Sequence, residues 1–137
     1  METTGRLAPT DPEDASAAYE ELATPASVVT KEVARALDVD DFQERVSPEV
    51  IVTARDAIFA STLAVTVGAR EEFEDWREGF EGDVIEAGNE HVDNVAWHAF
   101  DGDAVAVTFQ AEREAAVATL RRQAFNRLYR DLFYPEE

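Results

Sequence analysis

The residues that could do chemistry in this chain are few and far apart. The sequence holds two histidines, His91 and His98, and no cysteine. Histidine and carboxylate side chains together suit zinc or another divalent metal, and Glu90 and Asp93 stand close to His91. The two histidines are seven residues apart, however, and an odd spacing along one strand places side chains on opposite faces. We therefore predict no metal centre and no acid–base pair here, and interpret His98 as a hydrogen-bonded, half-buried histidine.

No pattern typical of a catalytic nucleophile or of a nucleotide-phosphate site occurs. Ser61 and Thr62 follow an alanine-rich helical run and lack the glycine elbow that presents a catalytic serine. The chain contains neither GxGxxG nor a phosphate-binding loop. We therefore predict no catalytic residue and no cofactor, and we favour a non-enzymatic protein.

Arg121 is a charged residue with an unusual predicted position. At 100° per residue in a long C-terminal helix, it projects between Val117, Phe125 and Leu128, on the face meant for the core. A buried guanidinium without a partner is very costly. Glu114 is the nearest partner by sequence, and a carboxylate from the sheet or a bound anion would also serve. The alternative is that the aliphatic stem lies on apolar surface while the charged head reaches water.

Three other arginines of this helix, Arg122, Arg127 and Arg130, are predicted to point away from its apolar stripe. Exposed arginines can contact nucleic-acid phosphates. Acidic residues interleave with these three, and no aromatic stacking platform stands beside them. We therefore prefer the interpretation that these arginines offset part of the negative charge of the rest of the fold. Nucleic-acid binding is the alternative.

The elements that position these residues follow from apolar periodicity. Three helices, a strand, a fourth helix, three more strands and a long helix are predicted in that order. Asp101-Gly102 is a strong two-residue hairpin signal, and the register that it sets places Trp97 opposite Ala106 and His98 opposite Val105. We predict an α+β fold, with a mainly antiparallel sheet of about four strands packed with N-terminal helices and one long C-terminal helix. The predicted strands span residues 63–67, 84–87, 92–100 and 103–110, and the last helix spans 111–133.

Acidic residues dominate the composition and are dispersed along the chain. Aspartate and glutamate number 30 against 12 lysines and arginines, a net charge of −18, and Lys31 is the only lysine. Concentrated salt screens the self-repulsion of such a chain, so the composition favours adaptation to high salt. Neither a signal peptide nor an apolar run of membrane-spanning length occurs. We expect one cytoplasmic domain over residues 1–137, with a loose segment at 1–10.

Three segments resemble those of a small family of acidic proteins from extremely halophilic archaea, which carries only a domain-of-unknown-function label. They are TARDAIFAS at 53–61, VAWH at 95–98 and AAVATLRRQAF at 115–125. The resemblance covers nearly the whole chain. It implies a cytosolic home in high salt, and it transfers no activity and no catalytic residue.

Three hypotheses on function remain open. The first is an interaction or accessory protein, as a homodimer or with an unknown protein partner, because the hairpin strands are apolar on both faces and the third helix on two sides. The second is a nucleic-acid-associated or regulatory protein that uses Arg122, Arg127 and Arg130. The third is a small enzyme or ligand binder around His98, Trp97 and Arg121. In the third helix, Val50, Ala54, Ala57, Ile58 and Ser61 are predicted to face inward, with Val52 and Phe59 opposite.

Overall fold

The computed structural model describes residues 1–36, 48–89 and 92–134 of the chain. The strands are β1 Glu2–Thr4, β2 Val65–Ala69, β3 Asp83–Ala87, β4 Asn94–Phe100 and β5 Asp103–Phe109. The helices are α1 Pro12–Glu21, α2 Ala23–Ala36, α3 Pro48–Thr62, α4 Arg70–Glu78, α5 Arg113–Ala124 and α6 Arg130–Phe133. A π-helical turn, Phe125–Tyr129, joins α5 to α6.

The five strands form one mixed sheet in the order β1-β2-β4-β5-β3. Every neighbouring pair is antiparallel except β3 with β5, which is parallel. The β4–β5 hairpin turns at Asp101 and Gly102, whose φ angles of 50° and 85° are the positive values that a type I′ turn requires. Trp97 then pairs with Ala106 and His98 with Val105. The predicted α+β class and the hairpin register are confirmed.

The N-terminal segment differs from the expectation of a loose stretch. Glu2 pairs with Val67 and Thr3 with Thr66, so β1 is a fifth strand at the edge of the sheet. The terminal amino group also lies 2.9 Å from the Glu72 carboxylate. Backbone pairing with β2 holds this segment in place. Its three mostly polar residues show no alternation of apolar and polar side chains, so a strand could not be predicted from them.

Helices cover both faces of the sheet. On one face, α4 contributes Phe73 to a small cluster with Val95, Trp97 and Ala106. On the other face, α1, α3, α5 and the π-helical turn enclose the larger core. The two apolar faces that the sequence predicted are therefore both buried within the chain itself. The largest fully buried side chains of this larger core are Tyr129, Phe59, Leu63, Leu120, Val65 and Val105.

The prediction for the inner face of α3 is wrong. Phe59, which was expected to point away from the core, is fully buried and contacts the rings of Tyr19 and Tyr129. Val50 and Ala57, which were expected to face inward, are exposed. The helix is apolar on two sides, and the side with the aromatic ring buries more surface than the side with alanines.

The C-terminal helix begins at Arg113 and is not one uninterrupted α-helix as predicted. The π-helical turn shifts the positions that face the core. Leu128, which lies on the stripe of Leu120 in a straight helix, is only half-buried, whereas Tyr129 is fully buried. The turn therefore places the phenol of Tyr129 against the sheet.

Candidate functional site

His98 lies in the middle of β4 and is only 5% exposed. Its Nδ1 atom is 2.6 Å from the Ala64 carbonyl oxygen, and its Nε2 atom is 2.6 Å from the Tyr129 hydroxyl. A carbonyl oxygen can only accept, so Nδ1 carries the proton, and the Tyr129 hydroxyl donates to Nε2 of the neutral ring. Both ring nitrogens are therefore satisfied inside the protein, and the predicted hydrogen-bonded histidine is more deeply buried than expected.

The environment of this pair keeps both side chains uncharged. Burial lowers the pKa of His98, and the nearby positive charge of Arg121 lowers it further, against the raising effect of the Ala64 carbonyl. Burial also raises the pKa of the Tyr129 phenol. A neutral imidazole and a neutral phenol that solvent does not reach can fix the packing of β4 against the π-helical turn, but they do not form an accessible acid or base.

Arg121 finds its partners in the backbone rather than in a carboxylate. Its Nε donates to the Leu63 carbonyl oxygen at 3.0 Å, and its Nη2 lies 3.5 Å from the Thr4 carbonyl oxygen. Gly5 passes so close that a Cβ atom there would lie 2.7 Å from Nη2, and its φ of +96° also favours glycine. Glu114 is not among the hydrogen-bond or ion-pair partners of Arg121 in the described part of the chain.

The structure brings two of the three predicted ligand-binding residues together. Arg121 and His98 bond to the consecutive carbonyls of Leu63 and Ala64, where α3 leads into β2. Trp97 lies on the opposite face of the sheet, 3% exposed, in the cluster built on Phe73. A site that uses all three side chains at once is therefore divided by the sheet.

The three outer arginines of the C-terminal helix are exposed, in agreement with the helical arithmetic. None of them pairs with a carboxylate within the described ranges. Each instead donates to a neutral side chain three or four residues earlier on the same helix. The pairs are Arg122 with Thr119 at 3.4 Å, Arg127 with Gln123 at 3.1 Å and Arg130 with Asn126 at 3.4 Å.

The weak metal motif is only partly described. Glu90 and His91 lie outside the described residues, and Asp93 precedes β4. Among the described residues no three histidine or carboxylate side chains are grouped so that they could hold a metal ion.

Sequence reasoning missed a second polar cluster, which links α1, α3 and the C-terminal segment. The Tyr19 hydroxyl donates to Asp56 Oδ1 at 2.5 Å, and the Tyr134 hydroxyl donates to Oδ2 of the same carboxylate at 2.8 Å. The Arg55 guanidinium lies 4.0 Å over the Tyr19 ring, while Phe133 stacks on that ring at 3.9 Å. Burial raises the pKa of both phenols, so the two hydroxyls stay protonated and donate to Asp56. The partners are far apart in sequence, and no local pattern connects them.

The α2 helix carries an exposed apolar surface. Val28, Val29 and Val33, here called the valine face, are 54%, 49% and 52% exposed. The helix packs through Ala26, which is fully buried, so its valines point away from the core. On α3, Val50 is 46% exposed and borders a shallow depression with Ala54 and Ala57. Exposed apolar side chains that cluster on one element mark interaction sites more often than scattered ones do.

The chain belongs to a family whose model matches residues 6–130 and is described as "Family of unknown function (DUF5809)". No curated protein and no solved structure matches the chain. None of the described helices is long and apolar enough to cross a membrane.

Proposed function

We propose that this protein is a non-enzymatic interaction protein whose working form is a homodimer joined through the valine face of α2. The observation that carries the proposal is the exposure of Val29 and Val33, 49% and 52%, on one side of a helix in a chain of net charge −18. Fully burying an exposed valine side chain contributes about 1.5–3 kcal/mol, and covering a half-exposed valine contributes roughly half of that. Three such valines on each copy still favour association.

The spacing of the valines suits a second copy of the same chain. Val29 and Val33 are four residues apart and lie on neighbouring turns of α2. If two α2 helices pack antiparallel about residue 31, Val29 of one copy meets Val33 of the other, and the reverse contact forms by symmetry. A two-fold axis makes one patch serve both partners.

The charge of α2 also favours this face over the acidic parts of the surface. The helix carries Lys31, Glu32 and Arg35, so its local charge is positive in a chain of net charge −18. Arg35 and Glu32 form an ion pair at 2.9 Å on the exposed side. Two copies that meet here avoid bringing their acidic surfaces together.

A high-salt cytoplasm is the setting that we propose for this dimer. The acidic residues are dispersed through the chain, and concentrated salt screens their repulsion. High salt also screens the repulsion between two acidic copies, so it favours folding and association together.

Cysteine cross-linking tests the interface directly, because the natural chain has no cysteine. We expect an equimolar mixture of Val29→Cys and Val33→Cys chains to form a mixed disulfide dimer under mild oxidation, faster than either variant alone. Opposed positions in antiparallel packing come close enough for a disulfide, whereas identical positions lie further apart.

The matched control uses Ile85, an exposed apolar residue at the edge of the sheet that offers an alternative interface. Ile85 of β3 is 40% exposed on an outer strand, and an edge strand can pair with a second copy. Rapid cross-linking of Ile85→Cys with no mixed Val29–Val33 product would overturn the α2 interface and point to dimerisation through β3.

Nucleic-acid binding through Arg122, Arg127 and Arg130 is a second candidate. It is favoured by the absence of a carboxylate partner for these guanidinium groups among the described residues. Binding of a labelled RNA or DNA oligonucleotide that weakens steeply with salt, and that is lost when all three are changed to glutamine, would support it. No binding at low salt would remove it.

A further inference from the structure

A groove runs between the end of β1 and the outer side of α5. It opens to solvent and is separate from the valine face, which lies on α2. Two arginines, one carboxylate, two small apolar side chains and a threonine line it: Arg113, Arg121, Glu114, Val117, Ala118 and Thr4.

Arg121 lines this groove, and backbone carbonyl oxygens hold its guanidinium while leaving other N–H donors unused among the described residues. A guanidinium has five N–H groups, and Arg121 uses its Nε on the Leu63 carbonyl and one Nη2 hydrogen on the Thr4 carbonyl. The other donors have no partner in the described part of the chain. The Gly5 backbone also passes close to Nη2, where a Cβ atom would lie 2.7 Å away. The group is thus oriented before any ligand arrives.

We infer that this groove binds a small monocarboxylate, whose oxygens contact Arg121 and whose short apolar tail lies against Val117 and Ala118. The planar fork of a guanidinium matches the two oxygens of a carboxylate. Among the described residues, the partly buried guanidinium of Arg121 bonds to backbone carbonyls and to no carboxylate. A ligand carboxylate supplies that negative charge.

The other charges of the groove restrict the ligand to a single negative charge. Arg113 adds a second cation, but its Nη1 is already 2.6 Å from the Glu2 carboxylate at the rim. Glu114 lines the groove as well. Two carboxylates close to the ligand repel a polyanion more strongly than a monoanion, so a phosphate ester is disfavoured.

Nuclear magnetic resonance titration with butyrate tests the inference, with ionic strength held constant by exchanging potassium chloride for potassium butyrate. We expect saturable shifts of the Thr4 and Ala118 amide signals in the natural protein. Ala118 is exposed, so Ala118→Phe fills the groove without disturbing the core, and it should abolish the shifts at an unchanged melting temperature. Arg122→Gln, on the same helix outside the groove, should leave them intact.

A variant that changes the charge of the groove, while keeping Arg121, provides a second test through the affinity for butyrate. Glu114→Gln takes a negative charge from the groove and should tighten butyrate binding by about twofold to fivefold, the scale of one exposed charge interaction. Shifts that do not saturate, or that persist in Ala118→Phe, would overturn the site. Inorganic phosphate that binds as tightly as butyrate would overturn the assignment to a carboxylate. The site does not depend on the proposed dimer, and Val33→Asp should retain it.

Discussion

The Nε2 atom of His98 lies 2.6 Å from the hydroxyl oxygen of Tyr129, and this contact joins the central strand β4 to the π-helical turn of the C-terminal helix. Both side chains are buried, and the other ring nitrogen of His98 is bonded to the Ala64 carbonyl. The pair spans the larger core from the sheet to the helix that covers it. Several measurable properties of the fold depend on it.

Removing the Tyr129 hydroxyl should destabilise the protein. Tyr129→Phe keeps the ring but leaves the Nε2 atom of His98 without a donor, and a buried unsatisfied polar atom costs about 1–3 kcal/mol. Urea unfolding of the variant measures the loss. Tyr134→Phe is the matched control, because Tyr134 is 39% exposed and water can replace its hydrogen bond, so its cost should be about 1 kcal/mol or less. Equal losses in the two variants would contradict the special role of the buried pair.

The same pair should make stability depend on pH above the range where carboxylates titrate. The pKa of His98 is lowered in the folded state, while the unfolded histidine titrates near 6.5. Between these two values the unfolded chain binds more protons, so the free energy of unfolding falls as pH decreases below about 6.5, by up to about 1.4 kcal/mol per pH unit. Chemical unfolding at several pH values between neutrality and pH 5 measures this slope. The slope should be shallower in His98→Gln, and an identical slope there would refute the assignment.

Removing the Arg121 side chain should destabilise the fold more than removing that of its exposed neighbour Arg122. Arg121→Ala removes the donor to the Leu63 carbonyl and the contact with Thr4, at a cost of about 1–3 kcal/mol. A buried ion pair would cost more, because its removal strands a charge. Arg122→Ala, on the outer surface, should change stability by about 0.5 kcal/mol or less. Denaturant melts in molar potassium chloride compare the two, and indistinguishable effects would mean that the backbone contacts of Arg121 contribute nothing.

Salt should stabilise the fold. The chain carries 30 acidic against 12 basic residues, and their repulsion opposes the compact state in dilute buffer. The melting temperature should therefore rise as potassium chloride increases from about 0.1 M, where the Debye length is about 10 Å, to molar levels. Calorimetry across this range is the test. A constant melting temperature would argue against adaptation to high salt.

The sequence was most informative where a local rule determines the structure. Asp101-Gly102 sets the hairpin, and the register that places His98 opposite Val105 follows from it. The same register put Trp97 and His98 on opposite faces, as successive residues of a strand must be. The exposure of Arg122 likewise follows from the helical repeat.

The rest depended on choices that no local pattern encodes. The π-helical turn buries Tyr129 fully and leaves Leu128 half-buried, and the repeat of a straight helix does not indicate such a turn. The α3 helix could have faced inward with either of two apolar sides, and tertiary packing selected the side of Phe59. The carbonyl partners of Arg121 come from chain segments distant in sequence. The sequence therefore predicted individual residues of the candidate site, but the contacts between them are known only from the fold.

Equilibrium sedimentation at micromolar protein in molar potassium chloride tests the central proposal most directly. The natural chain should sediment as a dimer, and Val33→Asp should sediment as a folded monomer, because a charge replaces one side of the Val29–Val33 contact. Val50→Asp, which changes a similarly exposed valine on α3, should remain dimeric. A natural chain that sediments as a monomer, or a Val33→Asp variant that remains a dimer, would contradict dimerisation through α2.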